Sequence, residues 1–375
     1  MSFVPRASFP TLSHLPRSYF LGHHASGLQK MKSLLASIDL VIECRDYRVP
    51  LTSRNPLFEK SLEGKERLIV YTKRDLGGGA RDVVNEEIIQ KWHYPTPTMF
   101  VRNGEGEKER DGERARERGA AGGGDADRRK SVKMLLEFLR EHAQKRWKLV
   151  GHRLLVVGMP NVGKSTLLNA LRAHGIGKGK VARTGAQPGV TRKIGSGVKI
   201  IPSEDDVDAM DEASKKRWKG VGGGVYLVDT PGVFIPYVPD AEAMMKLALC
   251  GSVKDSIIPA VMLADYLLYH INHHDPTLYS EYSFPTNDIV HLLDNIARKT
   301  GRLGKGGKVD MEATALWMIQ RWRVGGFGRF LFDKVAENAL EQRVIEEEGS
   351  IGSLNQARRV EKERRRERGR QRGQA

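Results

Sequence analysis

The sequence predicts an α/β fold with a largely parallel sheet, followed by a smaller α-helical part. Three observations predict it. Six short apolar runs alternate with helical patterns up to about residue 240, as strands and their connecting helices do in parallel sheets. A glycine-rich loop stands between one of these runs and a helical stretch. Beyond residue 240 the strand patterns give way to helical periodicity.

Taken in order, the strands are expected at residues 39–43, 67–71, 98–101, 153–157, 197–201 and 225–228, all but the Thr-Met-Phe-Val run at 98–101 rich in Val, Ile and Leu. Helical patterns lie near 27–37, 83–92, 131–147 and 164–174. In the third, Met134, Leu135, Phe138 and Leu139 are expected to share one face and cover the sheet. Later helices are expected at 241–249, 258–270, 287–300 and 311–322. In the 287–300 helix, Ile289, Val290, Leu292, Leu293 and Ile296 read as one packed face.

Two stretches interrupt the pattern. Residues 104–130 contain no Val, Ile, Leu or Phe and are expected to be a disordered insertion. Residues 203–224 are polar, stand between two apolar strands, and read as an enlarged hairpin connection.

The formal net charge is +16, from 62 Lys and Arg against 46 Asp and Glu. More than half of the excess is terminal. Arg6, Arg17, Lys30 and Lys32 meet no acid before Asp39, and bases outnumber acids threefold between Arg358 and Arg372. Basic ends suit phosphate-rich partners. The acid-free start has the composition of a mitochondrial presequence; Pro5, Pro10 and Pro16 argue against a long targeting helix, and a disordered basic start is the other reading. Cys44 and Cys250 are the only cysteines, which excludes a disulfide framework and a cysteine zinc site. No run approaches the ~20 apolar residues of a spanning helix.

The glycine-rich loop reads Gly158-Met-Pro-Asn-Val-Gly-Lys-Ser-Thr166, directly after a strand and before a helix. This is a P-loop in its required context. Amides around Val162, Gly163 and Thr166 are placed to wrap phosphates, Lys164 to neutralise the outer ones, and the Ser165 hydroxyl to meet Mg²⁺. Downstream, Asp229-Thr-Pro-Gly232 follows a second apolar strand. Asp229 suits the magnesium shell, and the Gly232 amide suits a γ-phosphate. Between them, Gly185-Ala-Gln-Pro-Gly-Val-Thr191 reads either as a plain glycine-rich loop or as a switch whose Thr191 closes over the metal.

Guanine is told from adenine by a carboxylate that accepts from its ring N–H and exocyclic amino group. The usual Asn-Lys-x-Asp motif is absent beyond Gly232 but stands upstream as Thr72-Lys73-Arg74-Asp75, at the end of an apolar run. Thr72 in place of Asn is expected to keep guanine preference with lower affinity. Arg102-Asn103 occupies the position of a second guanine-contacting loop. The order is base motif, P-loop, switch threonine, Asp-Thr-Pro-Gly, a circular permutation of the ordinary GTPase.

With Phe20-Leu-Gly-His-His24, Asp46-Tyr-Arg-Val-Pro50, Ser53-Arg-Asn-Pro56, Ile296-Ala-Arg-Lys-Thr-Gly301 and Gly306-Gly added, the chain resembles the circularly permuted GTPases of ribosome assembly from about residue 19 to 332. That resemblance implies a factor that binds the maturing large ribosomal subunit and its rRNA, hydrolyses GTP when docked, and leaves. For mitochondrial members it implies a matrix protein at the inner membrane, held peripherally. It implies a role for His23 in orienting the attacking water, since Val233 stands where ordinary GTPases carry glutamine. It also implies K⁺ coordination by Asn161, whose other reading is a cap on the loop backbone.

The expected organisation is a targeting segment (1–17), a permuted GTPase domain (18–240), a helical RNA- or ribosome-binding domain (241–350) and a basic, disordered tail (351–375). In the helical domain Arg298, Lys299, Arg302, Lys305, Lys308, Arg321, Arg323 and Arg329, with Trp322 and Phe327 among them, read as an RNA surface. Two other readings stay open: an RNA-binding scaffold with a vestigial nucleotide site, and a GTPase of ribosome assembly outside mitochondria.

Overall fold

Strands buried on both faces need apolar residues at successive positions, and this chain supplies them. The computed structural model describes residues 3–10, 29, 31–102, 123–179, 181, 197–212, 215, 219–233, 238 and 240–350. Its strands are β1 (Leu40–Asp46), β2 (Arg67–Thr72), β3 (Thr98–Phe100), β4 (His152–Gly158), β5 (Val198–Ile201) and β6 (Val225–Asp229). They form one sheet in the order β3-β2-β1-β4-β6-β5. All neighbours are parallel except β5 and β6. The P-loop strand β4 therefore lies centrally, with the strands that follow it on one side and those that precede it on the other. That arrangement is the sheet-level signature of the permuted motif order.

The side-chain alternation is regular. Leu40, Ile42, Cys44, Leu154, Val156, Val225 and Leu227 enter one core, while Val41, Leu155, Val157 and Val228 enter another across the sheet. Besides helical residues 31–34 and five short 3₁₀ turns, the described residues form ten α-helices: α1 (Pro56–Ser61), α2 (Asp82–His93), α3 (Gly123–Gln144), α4 (Lys164–Ile176), α5 (Glu204–Asp208), α6 (Ala241–Leu249), α7 (Ala260–His274), α8 (Ile289–Thr300), α9 (Met311–Arg323) and α10 (Ala339–Ser350).

Three expectations need correction. Helix α3 begins at Gly123, inside the 104–130 stretch expected to lack structure. Ala126, Arg128, Arg129 and Lys130 favour helix and extend the packed part outward without apolar contacts once the nucleus exists; propensity does not account for Gly123, Gly124, Asp125 and Asp127. Residues 103–122 lie outside the described residues. Within α3 the buried face is Val132, Leu135, Leu136, Leu139 and Ala143, and Met134 is exposed. In α8, Val290 is likewise exposed while Leu292, Leu293 and Ile296 are buried. Met134 sits off the three-and-four spacing of its buried neighbours, whereas Val290 keeps that spacing with Leu293 but lies in the first turn of α8. The 203–224 connection is a hairpin crossing between β5 and β6, opened by α5, whose Ser203 and Asp206 form a capping box.

Helices α6 to α9 share one continuous core with a face of the sheet. The chain then returns over the first strands. Phe332 N–H donates to Arg48 O at 2.8 Å. The buried Asp333 carboxylate accepts from Leu51 N–H (2.9 Å), Thr52 N–H (2.7 Å) and Thr52 Oγ1 (2.7 Å). Asp333→Ala leaves the buried Thr52 amide and the part-buried Leu51 amide without this partner, so a loss of about 2–3 kcal/mol is expected in urea unfolding. A change in midpoint too small to resolve would show that the returning segment is held elsewhere.

Candidate nucleotide site

The carboxyl ends of β1, β2, β4 and β6 open on one edge of the sheet, beside the point where the order reverses, which is where open α/β sheets bind ligands. Each strand delivers one motif there.

The P-loop leaves β4 through Gly158, whose φ is 150° and where a Cβ would lie 2.4 Å from Cys44 O. Only glycine fits that approach. Asn161 takes the left-handed conformation that Asn tolerates well. The Lys164 ammonium is buried and donates to Gly158 O (3.2 Å) and Met159 O (2.7 Å). Burial lowers its pKa, with Asp229 opposing.

At the first turn of α4, Ser165 Oγ donates to Asp229 Oδ2 at 2.8 Å. Asp229 is 7% exposed, and its other oxygen, Oδ1, is buried with no hydrogen-bond partner. Burial raises its pKa, against the pull of Lys164 and Ser165. A hydroxyl beside a carboxylate with a spare oxygen, under a phosphate-wrapping loop, is a donor set that suits Mg²⁺. Gly232 packs directly on the loop: a Cβ there would lie 2.5 Å from Pro160 Cα. Val233 is buried with Val157 and Val228, so it has no access to a reacting water.

The base motif approaches the same loop from β2. Thr72 is fully buried, and its hydroxyl is within hydrogen-bonding reach of Arg45 O and Val162 O. The hydroxyl therefore ties the end of β2 to neighbouring backbone, one of its two acceptors lying in the P-loop. Lys73, left-handed with φ 56°, sends its ammonium to Asn161 O (2.6 Å) and Asp46 Oδ2 (3.0 Å). Asp75 is half-buried in the 3₁₀ turn that follows. The loop beyond it is pinned by Asp82, which accepts from Gly78 N–H (3.0 Å), Gly79 N–H (2.8 Å) and Arg74 Nη1 (2.8 Å).

Two groups escaped assignment from sequence. Asp46, at the tip of β1, is buried and accepts from Lys73, from Arg48 Nε (3.0 Å) and Nη2 (2.8 Å), and from Arg48 N–H (3.1 Å). Burial alone would raise its pKa; Arg48 and Lys73 outweigh burial and hold it well below the carboxylate range. Its signal was an acid ending an apolar strand, as Asp229 does. The other group is the turn after α6, where Ser252 Oγ donates to Pro160 O at 3.0 Å and Gly251 lies against the Asn161 amide. The helical part thus touches the P-loop directly.

Of the remaining expected residues, His23, Asn103 and Thr191 lie outside the described residues, and Arg102 pairs with Asp127 at 2.7 Å. The expected RNA surface is smaller than predicted. Trp322 and Phe327 are buried, and Trp322 takes the Arg48 guanidinium on its ring face at 4.9 Å. Arg323 caps the end of α6 through Ala248 O and Leu249 O, both 2.8 Å. Arg298, Lys299, Lys308, Arg321 and Arg329 stay exposed.

A central P-loop strand with its base motif upstream and its Asp-Thr-Pro-Gly downstream defines a circularly permuted P-loop GTPase. The model of the 50S ribosome-binding GTPase family matches residues 153–293. Mitochondrial GTPase 1 of Schizosaccharomyces pombe is 34% identical, over 93% of this chain and 98% of the relative. Mitochondrial ribosome-associated GTPase 1 of Mus musculus is 31% identical over 88% and 94%, and ribosome biogenesis GTPase A of Bacillus cereus 32% over 85% and 94%. The chain belongs to the mitochondrial GTPase 1 family.

Removing Asp46 leaves two buried cations facing each other. Asp46→Asn is expected to cost about 3 kcal/mol in chemical unfolding and to weaken GTP binding. Because the folded-state pKa lies below the unfolded one, the stabilisation is complete above the ordinary carboxylate range and is lost only as pH falls through the folded value. The gap between wild type and Asp46→Asn should therefore be the same at pH 8 and pH 5; a gap that closes by pH 5 would refute the pairing.

Proposed function

We propose that this chain is a GTP-hydrolysing assembly factor for the large subunit of the mitochondrial ribosome, binding its rRNA in the GTP state and leaving after hydrolysis. The observation that carries the reading is the Ser165–Asp229 contact under the P-loop, with a buried carboxylate oxygen to spare. A vestigial site would not be expected to keep that pair. The relatives' names, mitochondrial and ribosome-associated, supply the setting.

In this reading Asp75 accepts from guanine, and Thr72 and Lys73 brace its loop against the P-loop. Amides at Val162, Gly163 and Thr166 wrap the phosphates, and Lys164 leaves its loop carbonyls to meet the outer ones. Ser165 and Asp229, with Thr191, would hold Mg²⁺, which would supply positive charge against the phosphates. The Gly232 amide donates to the γ-phosphate. Water attacks phosphorus as the bond to the bridging oxygen breaks, giving GDP and phosphate. Val233 cannot orient that water; His23 takes the task, and Asn161 would help hold a K⁺ whose chemistry would be added positive charge. Arg298, Lys299, Lys308, Arg321 and Arg329 face rRNA, and the protein works on the matrix side of the inner membrane, held peripherally. Among the described residues no helix is long and apolar enough to cross a membrane.

Binding of GTP should exceed that of ATP, and Asp75→Asn should cut it at least about tenfold by removing a charge-assisted pair of hydrogen bonds. Lys164→Ala should abolish turnover. Equal affinity for both nucleotides, unmoved by either substitution, points to the scaffold instead.

Hydrolysis by the purified chain should be slow, and large mitoribosomal subunits in K⁺ should accelerate it by about 10-fold or more, as supplied transition-state charge does elsewhere. Rapid turnover in Na⁺ without subunits would contradict the proposed division of labour.

A further inference from the structure

The first ten residues read as targeting sequence by composition, yet residues 3–10 lie against the helical part through contacts made by several kinds of group. Arg6 forms a two-pronged pair with Asp265 of α7, Nη1 to Oδ2 at 3.1 Å and Nη2 to Oδ1 at 2.7 Å, and Nη2 also reaches Asp265 O at 3.3 Å. The backbone is held on both sides. Arg6 N–H donates to Asn287 Oδ1 (3.3 Å), Asn287 Nδ2 donates to Val4 O (2.9 Å), and His273 Nε2 donates to Arg6 O (2.7 Å). Phe9 then joins the main core, edge-on to Tyr266 at 5.2 Å and tilted against Tyr269 at 5.8 Å. The Arg6 guanidinium sits over the Phe9 ring at 5.5 Å, so ion pair and apolar anchor support each other.

A cleaved leader has no need of partners in the finished protein. Here a guanidinium, a ring and three backbone groups each have one, on α7 and on the residues just before α8. From this we infer that residues 3–10 are a permanent strap of the folded protein, seated in cis on α7, and that maturation does not remove them. Arg6 then serves twice: as one of the spaced positive charges of an acid-free start while the chain is unfolded, and as the partner of Asp265 afterwards. The strap also ties the start of the chain, which leads to the His23 segment, to the helical part. That link is independent of the nucleotide reading above.

The test uses the full chain with a C-terminal tag, isolated from its native cells, with its first residue identified by mass spectrometry. A mature chain that retains Val4 to Phe9 is expected; one that has lost any of them overturns the inference. In the purified protein, Arg6→Ala and Phe9→Ala should each lower the melting temperature by about 2 °C or more. Arg6→Ala should add little in an Asp265→Ala background, because the pair is already broken. Melting temperatures unmoved by both single substitutions would overturn the strap. A concentration-dependent dimer that vanishes when residues 2–10 are deleted would overturn its placement in cis.

Discussion

One buried carboxylate organises the nucleotide edge. Asp46 ends the strand next to the P-loop strand and receives the lysine of the base motif on one side and Arg48 on the other. Lys73 continues to the P-loop backbone at Asn161, and Arg48 continues to Trp322 and to Cys250 O of the helical part. Three pieces of chain far apart in sequence are thus registered against one group that cannot be left unpaired at low dielectric. The cost of burying three charges is offset only if all of them stay in place, which makes the arrangement a geometric specification more than a source of stability.

This explains how a permuted chain can keep the geometry of the site. In an ordinary GTPase the base motif follows the P-loop and the chain itself carries one to the other. Here the base-motif strands come first, and their position relative to the P-loop rests on β1 pairing beside β4 and on contacts across the edge. Thr72 and Lys73 both bond the P-loop backbone. The helical part completes the frame through Ser252, and its shared core with the sheet means that motion at the P-loop and motion in α6 are mechanically joined.

Much of this could be read from residues alone. Strands β1 to β6 fall where apolar runs demand burial on both faces, and the P-loop, Asp229 and the base motif stand at strand ends as their chemistry requires. What escaped has a common cause. The charged end of β1, with Arg45 paired to Glu43 at 2.7 Å and Asp46 to Arg48, is buried because its charges find each other, and hydropathy gives no sign of that. Trp322 was read by its basic neighbours, although its spacing from Met318, Ile319 and Ala315 placed it in the apolar stripe of α9. Arg6 and Asp265 are separated by 259 positions, and nothing local to either announces the other.

Sheet order also bears on how the chain is made. Strands β1 to β3 leave the ribosome first, but β1 needs a partner on each side, and β4 begins only at His152. At ordinary rates of synthesis the stretch from Phe100 to His152 takes about 3–10 s. Through that interval the nascent sheet has a buried-type edge without its neighbour, the condition in which chains associate wrongly. The first part of the segment synthesised meanwhile, residues 104–130, is densely charged and has no Val, Ile, Leu or Phe, so it adds length without adding adhesive surface. The chain thus has a waiting period written into its own assembly.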